Sequence, residues 1–142
     1  YMCYFKIYCS LPNDAKFIRE TVFMKEQGFV NEFDEKDTGA KHIVLYNDEN
    51  KPMATCRYFP DEEGTVYFVG RIAVLKEFRQ KSYGAAMLRE AERQIRNTGA
   101  TEIRLAAQVR AAGFYEKSGY SIVGREFLEE GCPHIWMHKR WG

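Results

Sequence analysis

The stretch that decides the fold runs from Gly70 to Gln94, GRIAVLKEFRQKSYGAAMLREAERQ. Its start reads as the end of an apolar strand. Met87, Leu88, Ala91 and Ile95 then recur at helical spacing, so a strand passes into an amphipathic helix over Tyr83–Asn97. Lys76, Glu77, Arg79, Gln80 and Lys81 fill the join, and the small residues Ser82, Gly84 and Ala85 surround the helix start. A plain connection needs only a turn and a cap. Here cations gather where a helix presents unpaired N–H groups and the positive end of its dipole. Small residues let an anion approach those groups closely. The loop is thus built like a pyrophosphate cradle; a capped helix beside solvated cations is the plainer alternative. GxxxxGK[ST] and GxGxxG are both absent, which excludes a Walker A loop and a dinucleotide fingerprint.

Outward from this unit the chain alternates strands and helices. Upstream lie a strand over Met2–Ser10 and a helix from Pro12 to about Gln27, marked by Phe17, Ile18, Val22 and Phe23 and stopped at Gly28. NEFDEKDTG follows as an acidic loop. AKHIVLYND, PMATCRYFP and Thr65–Val74 form an antiparallel meander, separated by the turns NDENK and DEEG. Downstream, TEIRLAA is a strand, VRAAGFYEKSG a short helix, YSIVGREFL a strand and HIWMHKR the last strand, after a turn at Gly131 and Pro133. The order β α β β β α β α β β predicts a mixed α/β domain whose strand–helix–strand unit around Tyr83–Asn97 is a right-handed parallel crossover. One domain over 1–142 is expected, since 142 residues suffice for one core.

The hydrophobic fraction of 45% and charged fraction of 29% are those of a soluble globular protein. Net charge is +1 with no basic block, which argues against nucleic acid as a partner. No apolar run approaches a membrane span, and YMCYFKIYCS lacks the features of a signal peptide. Tyr1 ahead of Met2 reads as an added residue. The four cysteines, Cys3, Cys9, Cys56 and Cys132, form no CxxC and no zinc spacing. Four free thiols in a reducing cytoplasm, with no metal, are expected.

VGRIAVLKEFRQKSYGAAML resembles motif A of the GNAT superfamily of N-acetyltransferases, whose Q/R-x-x-G-x-G/A turn binds the pyrophosphate of coenzyme A. Arg79, Ser82 and Gly84 stand at its three named positions, with Ser82 where the family usually has Gly. LAAQVRAAGFYEKSGY is similar to the family's motif B, with Gln108 where many members carry Asn. VFMKEQGFVNEFDEKD and GREFLEEGCPHIWMHK resemble the corresponding segments of a subgroup of small bacterial members. The likeness spans about Val22 to Lys139.

The resemblance implies a mixed central sheet flanked by helices, with the fourth and fifth strands splayed apart. It implies that Arg79, Gln80, Lys81, Ser82, Tyr83, Gly84 and Ala85 hold the pyrophosphate of acetyl-CoA. The pantetheine arm would fill the gap like an extra strand along Ile72, Ala73 and Val74, with Gln108 and Phe114 beside it. A backbone N–H near Val74 would polarise the thioester carbonyl. The plainer view makes Ile72 and Val74 core residues, and the two views are compatible. Tyr115 stands where the family places the acid that protonates the departing thiolate; alternatively it is a packed aromatic.

The general base is open. The strand Thr65–Val74 holds no carboxylate, and the candidates are Glu26, Glu32, Asp34, His42 and His134. His134, at a strand start, is the one taken as catalytic, because imidazole titrates near neutrality; a structural histidine is the alternative, as for His42. Glu32 to Asp37 otherwise form a solvated acidic loop. Arg71, a cation in an apolar strand, needs a partner. A salt bridge to Glu32, Asp34 or Asp37 is expected in preference to reading an acceptor carboxylate. The implied activity is acetyl transfer from acetyl-CoA to a primary amine, on a small molecule or a protein lysine, in a chain that also forms homodimers in many relatives. The alternative is a non-catalytic acyl-CoA-binding or sensor module.

Overall fold

In a computed structural model the structure describes residues 2–141; Tyr1, read above as an added residue, lies outside them, as does Gly142. Seven strands form one sheet in the order β1-β2-β3-β4-β5-β7-β6. In chain order they are β1 (Tyr4–Tyr8), β2 (Lys41–Tyr46), β3 (Pro52–Pro60), β4 (Val66–Val74), β5 (Glu102–Gln108), β6 (Ser121–Glu129) and β7 (Cys132–Arg140). The helices are α1 (Asn13–Arg19), α2 (Lys36–Gly39), α3 (Tyr83–Arg96) and α4 (Ala112–Lys117). The expected meander is present as antiparallel β2–β3–β4, and α3 carries the chain from β4 to its parallel partner β5.

Alternation along β2 builds a core on each face of the sheet. Ile43 and Leu45 pack with Met87, Leu88, Ala91 and Ile95 of α3, and with Ile103, Leu105 and Ala107 of β5. Val44 and Tyr46 pack with Ala15, Ile18, Val22 and Phe23 on the other face. Each Val, Leu, Ile, Phe or Met among them, fully buried, stabilises the fold by about 1.5–3 kcal/mol.

Three features differ from the sequence reading. The helix begun by α1 does not stay α-helical: Glu20–Glu26 is a π-helical turn, closed by N–H donation from Gln27 to the Val22 carbonyl at 3.2 Å. The acidic stretch is not simply solvated, because it contains α2 and buries Glu32 and Asp37, which are 4% and 6% exposed. The last strand starts at Cys132, with the turn at Glu130–Gly131, both at positive φ. Pro133 is tolerated inside β7 because β5 ends opposite His134, so beyond that residue β7 pairs only with β6.

Parallel pairing of β4 with β5 runs only from Val66↔Glu102 to Phe68↔Arg104, although β4 continues to Val74 and β5 to Gln108. The cause lies in β4. Gly70 pairs with Arg57 and Ala73 with Thr55, so Arg71 and Ile72 together face the single residue Cys56. This bulge, with Arg71 at φ 53°, bends β4 away from β5.

Candidate active site

Between the diverging strands lies a cleft of about 570 Å³. Of the residues singled out in the sequence, Glu32, Asp34, Arg71, Ile72, Gln108, Tyr115 and His134 line it. Two bridges cross it from the segment after the π-helical turn. Gln108 Nε2 donates to Gln27 Oε1 at 2.8 Å. The N–H groups of Val30 and Asn31 donate to the Glu130 carboxylate at the β6–β7 turn, at 3.0 and 3.3 Å. Past Phe68 the main chain of β4 has no β5 partner, so its polar groups face the cleft with hydrogen-bonding capacity unused by the sheet. Ala73, by contrast, turns its side chain into the core beside α1, and Val74 packs partly against the larger core.

The loop after β4 passes through a 3₁₀ turn at Lys76–Phe78 and reaches α3 through two left-handed residues, Gln80 at φ 65° and Ser82 at φ 64°. Ser82 therefore holds the backbone shape that glycine adopts most easily. Its side chain makes no cap, and the first turn of α3 contains no acidic residue, so no carboxylate competes for its N–H groups. Gln80, Lys81 and Ser82 are exposed, while Tyr83, Gly84 and Ala85 are half-buried. A Cβ on Gly84 would meet the Phe114 ring at 3.5 Å, an ordinary contact, so the protein itself does not demand glycine here.

Arg79 is more engaged than the sequence suggests. Its guanidinium donates to Glu26 Oε1 and Oε2 at 2.8 and 3.0 Å and to the Val74 carbonyl at 2.9 Å. It thus ties the loop to the end of β4 and to the π-helical turn. Glu26, a base candidate, is taken up in this pair and does not line the cleft.

Tyr115 lies on α4 in a nest of rings, edge-on to Phe114 at 5.0 Å and to Tyr120 at 6.1 Å. Among the described residues its hydroxyl takes no hydrogen-bond partner. Burial, reinforced by nearby Cys56, pushes its pKa above the ordinary phenol range, so the proton stays in place at neutral pH. His134 is 5% exposed, stacked on Phe127, and donates from Nδ1 to the Cys132 carbonyl at 2.8 Å. That bond leaves the Nε2 lone pair of a neutral ring available, with Glu129 Oε2 at 3.6 Å. His42 is a structural histidine: 1% exposed, with Nε2 at 3.0 Å from the Asp37 carbonyl, and away from the cleft.

Beneath the cleft, three arginines meet three carboxylates. Arg19 binds Glu32 at 2.7 Å and Asp37 at 2.8 Å; Arg57 binds Asp34 at 2.6 Å and Asp37 at 2.9 Å. Arg71 reaches Glu32 at 3.0 Å and Asp34 at 3.5 Å, the salt bridge its sequence setting called for. Burial pushes Asp37 upward, but bonds from Arg19, the Asp34 N–H and Arg57 outweigh it and hold the carboxyl well below the usual range. For Glu32 burial prevails over Arg71 and Arg19, and its pKa is raised.

Sequence reasoning passed over Arg19 and Arg57, although the rule applied to Arg71, a cation among apolar neighbours, fits Arg57 in MATCRYF equally well. It also passed over Phe59, Phe68, Phe127 and Trp136, which line the cleft and carry no local signal separating them from core aromatics. Among the described residues no helix is long and apolar enough to cross a membrane.

The sequence pattern of a family described as "Acetyltransferase (GNAT) family" matches residues 7–120. An uncharacterized N-acetyltransferase of Bacillus subtilis, YjcF, is 38% identical over 130 residues, 89% of this chain and 90% of that protein. A crystal structure assigned as an N-acetyltransferase from Lactobacillus plantarum superposes with a TM-score of 0.89 at 30% identity, covering 97% of each chain. An aminoglycoside 6′-N-acetyltransferase complexed with coenzyme A shares the fold at a TM-score of 0.73 and 15% identity, covering 96% of each chain.

Proposed function

Because this chain belongs to the acetyltransferase (GNAT) family, we propose that it is a single-domain cytoplasmic enzyme that transfers an acetyl group from acetyl-CoA to a primary amine by direct attack. The observation that carries this reading is the parting of β4 from β5 after Phe68 beside a helix start without a side-chain cap. A sheet gives up paired main-chain groups at a cost, and an extended ligand that restores those bonds offsets it.

In this reading the N–H groups at the start of α3 and the Lys81 ammonium hold the pyrophosphate, and Arg79 fixes the loop that presents them. The β4 main chain at Ile72–Val74 binds the pantetheine arm, and an N–H near Val74 faces the thioester oxygen. Acetyl-CoA supplies the activated acyl group. Tyr115 gives its proton to the departing sulfur as the C–S bond breaks and the C–N bond forms. His134 Nε2 accepts the proton that the attacking amine loses. Coenzyme A bound to the related aminoglycoside acetyltransferase supports the same co-substrate here.

The test is calorimetric titration with coenzyme A, followed by thiol release from acetyl-CoA across a panel of primary amines. Binding together with amine-dependent release is expected. Binding without transfer to any amine would make the chain a sensor, and absence of binding would reject the reading.

A further inference from the structure

One wall of the cleft is a row of rings drawn from four strands. Phe59 of β3 stacks on Phe68 of β4 with centroids 5.5 Å apart, and Phe68 meets Trp136 of β7 edge-on at 6.1 Å. Trp136 stacks on Phe127 of β6 at 6.1 Å, and Phe127 on His134 at 5.8 Å. All five line the cleft, none of the four aromatics belongs to either buried core, and Trp136 is 41% exposed. Ala106 of β5 pairs with Trp136 and also lines the cleft, where its small side chain does not cover the rings. Contiguous rings left outside a core and turned into a cleft suit a flat apolar ligand.

The charges sort the same way. Arg57, Arg71 and Arg104 line the cleft, but each is already held by a carboxylate, at 2.6, 3.0 and 2.7 Å. Arg110, past the end of β5, donates to Gln108 at 2.8 Å. Glu129 differs: its side chain is 54% exposed, no lysine or arginine among the described residues pairs with it, and His134 Nε2 lies 3.6 Å away. The row therefore ends in a carboxylate and an imidazole, a setting for an ammonium group, and Arg57, Arg71 and Arg104 beside it are already held by carboxylates.

Resting on the acetyltransferase reading above, we propose that the acceptor is an arylalkylamine without a carboxylate, its ring held along Phe68, Trp136 and Phe127 and its amine directed to Glu129 and His134. A second hollow of about 310 Å³ shares Phe68 and Trp136 with the cleft and adds Val123 and Met137, which gives room for a two-ring body.

The test compares kcat/KM with acetyl-CoA for 2-phenylethylamine, tryptamine, n-propylamine, spermidine, phenylalanine and a lysine peptide. The aryl amines should exceed n-propylamine by roughly ten- to two-hundredfold, the span of apolar-pocket discrimination. Phenylalanine, which differs from 2-phenylethylamine by its carboxylate, should fall about tenfold or more below it. Trp136→Ala should bring the aryl-to-propyl ratio close to one, and Phe127→Leu should lower it independently. Equal or better rates for n-propylamine, spermidine, phenylalanine or the peptide would overturn the proposal, as would an unchanged ratio in both variants. Calorimetry of 2-phenylethylamine with the coenzyme A-loaded protein separates the two levels. Binding that Trp136→Ala abolishes, with no acetyl transfer, would keep ring recognition and reject the enzyme. Transfer without aryl preference would keep the enzyme and reject the ring site.

Discussion

Tyr115 has the attributes of an acid held in reserve: a ring packed among Phe114 and Tyr120, a raised pKa, and a hydroxyl with no partner among the described residues. Tyr115→Phe removes only that hydroxyl, and no internal hydrogen bond goes with it. The fold should survive, coenzyme A affinity should hold, and turnover should drop by roughly 10²–10⁴-fold, the span of general acid–base catalysis. Single-turnover thiol release reads the chemical step directly. A wild-type rate there would make Tyr115 a packing residue. Ser82 shows the opposite economy at the same scale, because a non-glycine residue in the left-handed region costs about 1–2 kcal/mol.

At the scale of elements, three local irregularities cooperate. The bulge at Arg71–Ile72 bends β4, the π-helical turn sets Glu26 toward Arg79 and Gln27 toward Gln108, and the left-handed turn aims the start of α3. Gly84 lies in the first turn of α3, beside Phe114 and Val74. A methyl there would touch Phe114 at 3.5 Å without a clash, and alanine is the better helix former by up to about 1 kcal/mol. Gly84→Ala is therefore expected to keep or raise the melting temperature while weakening coenzyme A binding, because the methyl occupies the approach to the helix N–H groups. Loss of both stability and binding would show that the glycine serves the fold alone.

Across the whole molecule, the ionic cluster ties α1, the 32–37 segment, β3 and β4 together beneath the cleft, and His42 of β2 touches the same Asp37. Its titration sets an acid limit. Burial lowers the pKa of His42 below its free value of about 6.5, so the stability tied to the neutral ring is full above that pH and declines as pH falls. Asp34 and Asp37, lowered by their arginines against burial, add stability present above about pH 3.9 and lost below it. Glu32, raised by burial, acts in the opposite sense and softens that second loss. Urea midpoints should be level above about pH 7, decline as pH falls below about 6.5, and fall steeply below about 4. His42→Gln, which keeps a donor for the Asp37 carbonyl, should flatten the first decline. An identical slope in the variant would assign that decline to other groups.

The sequence by itself determined what depends on near neighbours. Periodicity in Met87, Leu88, Ala91 and Ile95 marked α3, the turn signals NDENK and DEEG marked off the strands of the meander, and the resemblance to motif A pointed to Arg79–Gly84 as a candidate anion-binding turn. FY in motif B singled out Tyr115. The tertiary structure decided what depends on distant ones. Arg79 meets Glu26 across 53 positions, and Arg57 meets Asp37 across 20. Phe68 of β4 meets Trp136 of β7 only because the sheet order sets a single strand, β5, between them. A carboxylate in NEFDEKD carries the same local signature whether water or an arginine will receive it. Which of the two does so is fixed by the burial and strand order of the folded chain.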